Sequence, residues 1–242
     1  GRNADKFLYL GSNSMVFGND AYTKSVTAAN SIVFGHKAAK NHPRLTTDVI
    51  IGNNIFENAT LGSGGSTLIG YNIISKQTTA RIINTTAIGT RALESLESGD
   101  CNTVTGSNSG LFLKNGSNNL FAGYRSAAFI LGGSNNTILG ASSTVGPYGA
   151  TINDTIVIGA NANPEVPNNT TTIATIANTD NYLYGNVHAH AYKVRGASAT
   201  QILMGDGSLV EKSTITGTVD ISGKLDKPLA PNNTSERLIT AD

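Results

Sequence analysis

His188 and His190, separated by Ala189, are the pair in this chain whose spacing best suits metal ligation. Residues i and i+2 of a strand share a face, and here His188, His190 and Tyr192 alternate with Val187, Ala189 and Ala191. Three copies of such a strand in register around an axis would bring six imidazoles together. An octahedral nitrogen set of that kind suits a first-row transition metal. The competing reading is two surface histidines on a β segment. Apart from this axial metal, no cofactor is expected.

The acidic candidates are weaker. Glu94 and Glu97 are the close carboxylate pair of the repeat region, with Asp100 following. Two carboxylates across a groove are what glycoside cleavage requires, but no aromatic sugar platform accompanies them: the chain has no Trp and aromatics make up 6%. A solvated corner loop is the expectation. Ser, His and Asp all occur without a G-x-S-x-G elbow, and Gly62 to Gly65 lacks the G-K-[ST] of a phosphate loop. No catalytic residue is expected, and the protein is expected not to be an enzyme. His36 and His42 lie in a coil spacer and are expected to be solvated. Cys101, the single cysteine, stands where other repeats carry Asn and is expected to be a tolerated surface residue.

The elements that would position such groups are set by an unusual composition. Gly (27), Asn (27), Thr (28) and Ser (21) dominate the 242 residues, while charged residues are 14% against a usual value of about 25%. Chains rich in helix favour Ala, Leu, Glu and Lys, so a mainly helical fold is excluded. With 39% hydrophobic residues and a net charge of +1, the chain also lacks the signature of disorder. The 17 Lys+Arg against 16 Asp+Glu form no basic cluster, so no nucleic-acid partner is expected. No apolar run of 18 residues occurs, and no membrane insertion is expected. The chain starts on Gly1 and stops mid-pattern at Asp242, which leads us to expect a piece of a longer product.

A repeat carries the fold. Short apolar runs close on Gly18, Gly35, Gly52, Gly70, Gly89, Gly106, Gly123, Gly140 and Gly159, at spacings of 17 to 19 residues. Two residues before each Gly stands an apolar side chain, from Val16 and Val33 through Val104 and Ile138 to Val157. Five before it stands Asn or Asp in six copies, residues that tolerate the left-handed region and form turns. The run reads as a strand, and Leu111 to Leu113 and Ala128 to Leu131 read as a weaker second arm. Each copy is then one coil of an all-β parallel β-roll or β-helix solenoid of about nine 17-residue coils, with like arms stacked about 4.8 Å apart. We place the shaft at residues 8–163, a neck at 164–186 begun by Pro164 and Pro167 with a polar bridge over 168–172, and a β-rich C-terminal region at 187–242. Within the last, Asp206-Gly207 between QILM and SLV is a two-residue turn signal.

Alternation makes both faces of the first arm apolar. One fills the coil. The other, a stripe roughly 43 Å long over nine coils, needs another chain to cover it, and a homotrimer with first arms toward a three-fold axis does so. Val104 and Ile138 are expected in that seam.

The copies NSMVFGNDA, NSIVFGHKA and NTTAIGTRAL resemble the head repeats of trimeric autotransporter adhesins and, more closely, the longer repeats of bacteriophage fibres. The segment Asn181 to Ile215, with its GNV strand and Q-x-L-x-x-DGS hairpin, is similar to a junction in fibres of phages infecting Bacteroides-like hosts. The resemblance implies a left-handed trimeric β-roll and a structural tail or head fibre of a virion, active in host-surface attachment. Its implied partners are itself as homotrimer, other virion proteins and a bacterial surface glycan or protein receptor, and its location is the particle exterior. An adhesin head on a bacterial cell surface is the second reading, and a polysaccharide-degrading tailspike the third. H-x-H metal sites occur in the axial needles of some phage fibres, which is what the resemblance adds for His188 and His190.

Overall fold

The computed structural model describes residues 13–23, 27–59, 61–76, 82–164, 168–173, 201–203 and 209–211. The chain divides into two compact units, Gly1–Asn181 and Tyr182–Asp242. Every regular element of the described residues is a strand.

In the first unit ten short strands form one all-parallel sheet in sequence order: Met15–Phe17, Ile32–Phe34, Val49–Asn53, Thr67–Tyr71, Thr86–Thr90, Thr103–Thr105, Leu120–Ala122, Thr137–Leu139, Ile156–Ile158 and Thr171–Ile173. Each strand pairs with the equivalent strand of the next coil, in the register that the closing glycines dictate: Val16 lies opposite Val33, Val104 opposite Phe121, and Gly70 opposite Gly89. The β-solenoid of about nine turns is therefore present. The sheet runs one strand beyond the expected end of the repeat. Thr171–Ile173 pairs with Ile156–Ile158, so the stretch expected as a polar bridge supplies a further rung, its backbone accepting the same ladder as the arms before it.

Each corner has a specific cause. Five residues before the closing Gly the backbone is left-handed in all nine coils, at Asn13, Asn30, Thr47, Gly65, Asn84, Cys101, Asn118, Asn135 and Asp154. The Asn and Asp copies adopt this region at low cost, and Thr47 and Cys101 are carried into it by their neighbours in the stack. The closing glycine is itself at positive φ in all nine coils, and from Gly18 to Gly140 each sits against its counterpart in the next coil. A Cβ at Gly106, φ 123°, would lie 2.7 Å from the carbonyl carbon of Gly123. No other residue fits a backbone-on-backbone contact of that kind.

The second arm lies elsewhere than expected. Leu111 to Leu113 and Ala128 to Leu131 are turn and irregular backbone. The second ladder comes later in each coil: Thr27–Ala29 pairs with Arg44–Thr46, Ser63–Gly64 with Ile82–Ile83, and Ser98, Asn115, Gly132 and Thr151 are bridged in series. The reason is a second set of left-handed residues. The position two after the closing Gly has positive φ in every coil, as at Asn54, Arg91 and Arg125, and the position four after it does so at Tyr22, Ala39, Phe56, Ile74, Leu93, Gly110 and Ala127. The second reversal opens a tight turn, Leu113 N–H donating to Gly110 O at 3.1 Å and Ile130 N–H to Ala127 O at 3.4 Å, so the residues expected as a strand are curled.

The core fills the narrow interior. The central side chain of each arm, including Val33, Ile50, Leu68, Val104, Phe121, Ile138 and Val157, is fully buried. It packs with Ile55, Ile73, Leu93, Leu96, Leu113 and Ile130 from the turns. Each such side chain contributes about 1.5–3 kcal/mol by leaving water. Val104 and Ile138 thus belong to the inside of the coil and not to an intersubunit seam. Once the stack turns the flanking residues of an arm outward, alternation puts the central one inside.

In the second unit Gln201–Leu203 and Leu209–Glu211 pair antiparallel, Leu203 opposite Leu209. The expected hairpin partners are therefore joined, but the register is centred on Asp206. Five residues separate the paired ends, where a two-residue turn at Asp206-Gly207 requires a register shifted by one.

Candidate functional site

The acidic candidates each have a partner of their own. Glu94 accepts from Arg91 Nε at 2.8 Å, and Glu97 lies 3.7 Å from Lys114 Nζ. Asp100 Oδ1 accepts the backbone N–H of Ile83 at 2.7 Å, tying one coil to the next. Each of the three carboxylates is engaged by a partner at a corner of the solenoid. Cys101 is exposed at φ 59°, in the turn position expected for it.

His36 is exposed, but His42 is not: it is 1% exposed and packs on the Phe56 ring with centroids 4.9 Å apart. Its expected solvation is therefore wrong. A turn after Ala39, with the His42 backbone N–H donating to Ala39 O at 3.0 Å, brings the ring onto Phe56 of the next coil. Burial pushes the imidazole down from 6.5 to about 3, against a smaller opposing effect of a backbone hydrogen bond at Arg44. His188 and His190 lie outside the described residues. Among the described residues no group of three or more His, Cys, Asp or Glu is placed to hold a metal ion, and no helix is long and apolar enough to cross a membrane.

The feature that stands out is the outward face of the ten-stranded sheet. The residue just before each closing Gly points away from the core, and this row reads Phe17, Phe34, Ile51, Ile69, Ile88, Thr105, Ala122, Leu139, Ile158 and, in the last strand, Ile173. Phe17 is 57% exposed, Ile88 40%, and Ile173 48%. Met15, Ile32, Leu120 and Ile156 widen the face on the other side of the central residue, and the Phe17 and Phe34 rings stack at 5.2 Å with an 11° interplanar angle. This ridge is apolar except at Thr105 and carries no charged residue.

A second, shorter apolar feature escaped the sequence reading. Phe112, Phe129 and Tyr148, from three successive coils, form one ring cluster. Their centroids are 6.3 Å (Phe112 to Phe129), 5.4 Å (Phe129 to Tyr148) and 5.7 Å (Phe112 to Tyr148) apart. The Arg125 guanidinium lies over Phe129, 5.1 Å from its centroid. Backbone bonds stack them, Phe112 N–H donating to Ala128 O at 3.2 Å and Gly149 N–H to Phe129 O at 2.9 Å. The signal was available in the 17-residue interval from Phe112 to Phe129. The 19-residue interval from Phe129 to Tyr148 hid the third ring.

No family model, no curated protein and no solved structure matches the chain.

Proposed function

We propose that this chain is a non-enzymatic, homotrimeric fibre or appendage protein on the exterior of a bacteriophage particle, serving attachment to the host surface. The observation that carries the reading is the outward apolar ridge of the ten-stranded sheet. A row along ten rungs, about 43 Å from first strand to last, in which eight side chains are Phe, Ile or Leu and the other two are Thr105 and Ala122, is the surface of a chain that buries it against copies of itself. The ridge supports self-association. The number three, the virion setting and the attachment role rest on the resemblance of the repeats and of the Asn181 to Ile215 segment to fibre proteins. The parallel stack gives a stiff rod, and three chains side by side multiply weak contacts into avidity.

Light scattering on the purified chain tests the assembly, with a mass of three chains expected. Antibody labelling of purified particles tests the location: label on the particle exterior supports the virion reading, and label on the bacterial envelope in uninfected cells replaces it by the surface-adhesin reading.

A further inference from the structure

The aromatic cluster of Phe112, Phe129 and Tyr148 occupies a row that is polar in most of the stack. Six residues after the closing Gly, the earlier coils carry Lys24, Asn41, Asn58, Lys76 and Ser95. Phe112 and Phe129 stand at that position in two successive coils, and Tyr148 joins them from the third through a two-residue offset. A seam between copies would have to run the length of the stack, as the sheet ridge does with Thr105 as its one polar member. This row is apolar only here, so it belongs to a local site. Tyr148 is 66% exposed and Phe112 and Phe129 are half-buried, so the cluster meets solvent through the Tyr148 ring.

The charge beside the rings defines the ligand. Arg125 is exposed and, among the described residues, has no carboxylate within ion-pair distance. It is held by the left-handed backbone at φ 55° and by its stacking over Phe129. A guanidinium fixed on an aromatic face keeps its fork of N–H donors free for a carboxylate, while the rings offer flat apolar surface with a phenol hydroxyl at one end. A sugar ring has an apolar C–H face and a polar rim, and a uronic acid adds a carboxylate to that rim. We propose that Phe112, Phe129, Tyr148 and Arg125 form a binding site for acidic saccharide, with sugar rings stacked on the aromatic cluster and the carboxylate paired with Arg125. For its biology this rests on the attachment reading, whose receptor it narrows to acidic surface polysaccharide.

The test is calorimetric titration of the full chain with hexamers of galacturonic acid and of mannuronic acid, beside the methyl esters of both, which keep the rings and lose the charge. Binding of at least one acidic hexamer is expected, weakened tenfold or more in its ester. Arg125→Gln should lower affinity for the acid about tenfold and leave the ester unchanged, whereas Phe129→Ala should abolish both with the oligomeric mass unaltered. No binding of either acid at millimolar concentration overturns the proposal, as does acid and ester binding that Arg125→Gln leaves equal. A fall in oligomeric mass with Phe129→Ala or Tyr148→Ala also overturns it, by making the cluster a contact between copies. Saccharide binding by a protein found off the particle would leave the site standing and remove the attachment reading. Particle-borne protein that binds cells without binding acidic sugar would do the reverse.

Discussion

Asn119 Nδ2 donates to Asn102 Oδ1 at 2.9 Å, one coil away, inside the wall of the solenoid. The contact is one rung of a buried ladder: Asn136 Nδ2 donates to Asn119 Oδ1 at 2.9 Å, and the three amides also donate to Gly116, Gly133 and Ile152 carbonyls. Each Asn stands four residues before its closing Gly, where other coils place Ser31, Asp48, Ser66, Thr85 and Thr155, all buried. Asp48 follows the same logic, accepting from Thr46 N, Ser63 Oγ and Ser66 N at 2.9 Å each. This row satisfies the backbone at the sharp bend between the two ladders, where strand pairing cannot reach.

Asn119→Leu is therefore expected to cost several kcal/mol. It removes the donor to the Gly133 carbonyl and the shared acceptor of the Asn136 backbone N–H and one Asn136 Nδ2 proton, at about 1–3 kcal/mol per buried unsatisfied group, while the Asn102 oxygen keeps the Asn119 backbone N–H. Urea unfolding followed by circular dichroism measures it. A loss below about 1 kcal/mol would show that the ladder is dispensable.

The glycine stack makes an equally sharp contrast. Gly106→Ala should destabilise by several kcal/mol, because its Cβ meets backbone at φ 123°. Gly146→Ala should cost about 1 kcal/mol, because at φ 67° its Cβ meets only Ala150 Cβ at 3.7 Å. The measurement is the difference in melting temperature between the two variants.

Charge on the outer ridge and charge in the core should separate assembly from folding. Ile88→Asp and Ile158→Asp, at positions 40% and 38% exposed, are expected to leave the β spectrum intact and reduce the mass to one chain. Val104→Asp, fully buried, should prevent folding, since an unpaired buried charge costs several kcal/mol or more. Sedimentation and circular dichroism on the same samples distinguish the two outcomes.

Acid should weaken the fold through His42. Its folded pKa of about 3 lies below the unfolded 6.5, so the neutral ring is the folded form. The stability it confers is complete above pH 6.5 and is lost as pH falls from 6.5 toward 3, by about 1.4 kcal/mol per unit inside that window. His42→Leu should flatten this part of the pH profile of the melting temperature, and an unchanged slope would remove His42 as its source.

Glu94→Gln and Glu97→Gln should each change stability by less than about 0.5 kcal/mol, as partly exposed ion pairs do, and leave attachment to host cells unaltered. A reducing-sugar assay on host capsule, active in the parent and silent in these variants, would establish the cleaving tailspike instead.

The arms, their spacing and the parallel stack were legible in the sequence because the repeat aligns identical roles: an apolar residue two before each Gly, Asn at the corner, Gly at the close. Period-2 alternation also foretold two apolar faces, but it could not say which residue of the arm faces in. The stack decided that, placing Val104 and Ile138 inside and Ile88 and Ile158 outside. The second ladder was misread because the left-handed turns at Asn108 with Gly110, and at Arg125 with Ala127, bear no uniform residue type. Ile74 and Leu93 adopt positive φ against their own preference while their side chains fill the core. His42 looked like a spacer residue, and only its packing on Phe56 of the next coil buries it. Phe112, Phe129 and Tyr148 lie up to 36 residues apart, and their meeting with Arg125 is a property of coils stacked one above another. The one-dimensional pattern determined the rung. Which side chains share a surface was decided by the superposition of rungs, because neighbours across coils are set by register and not by distance along the chain.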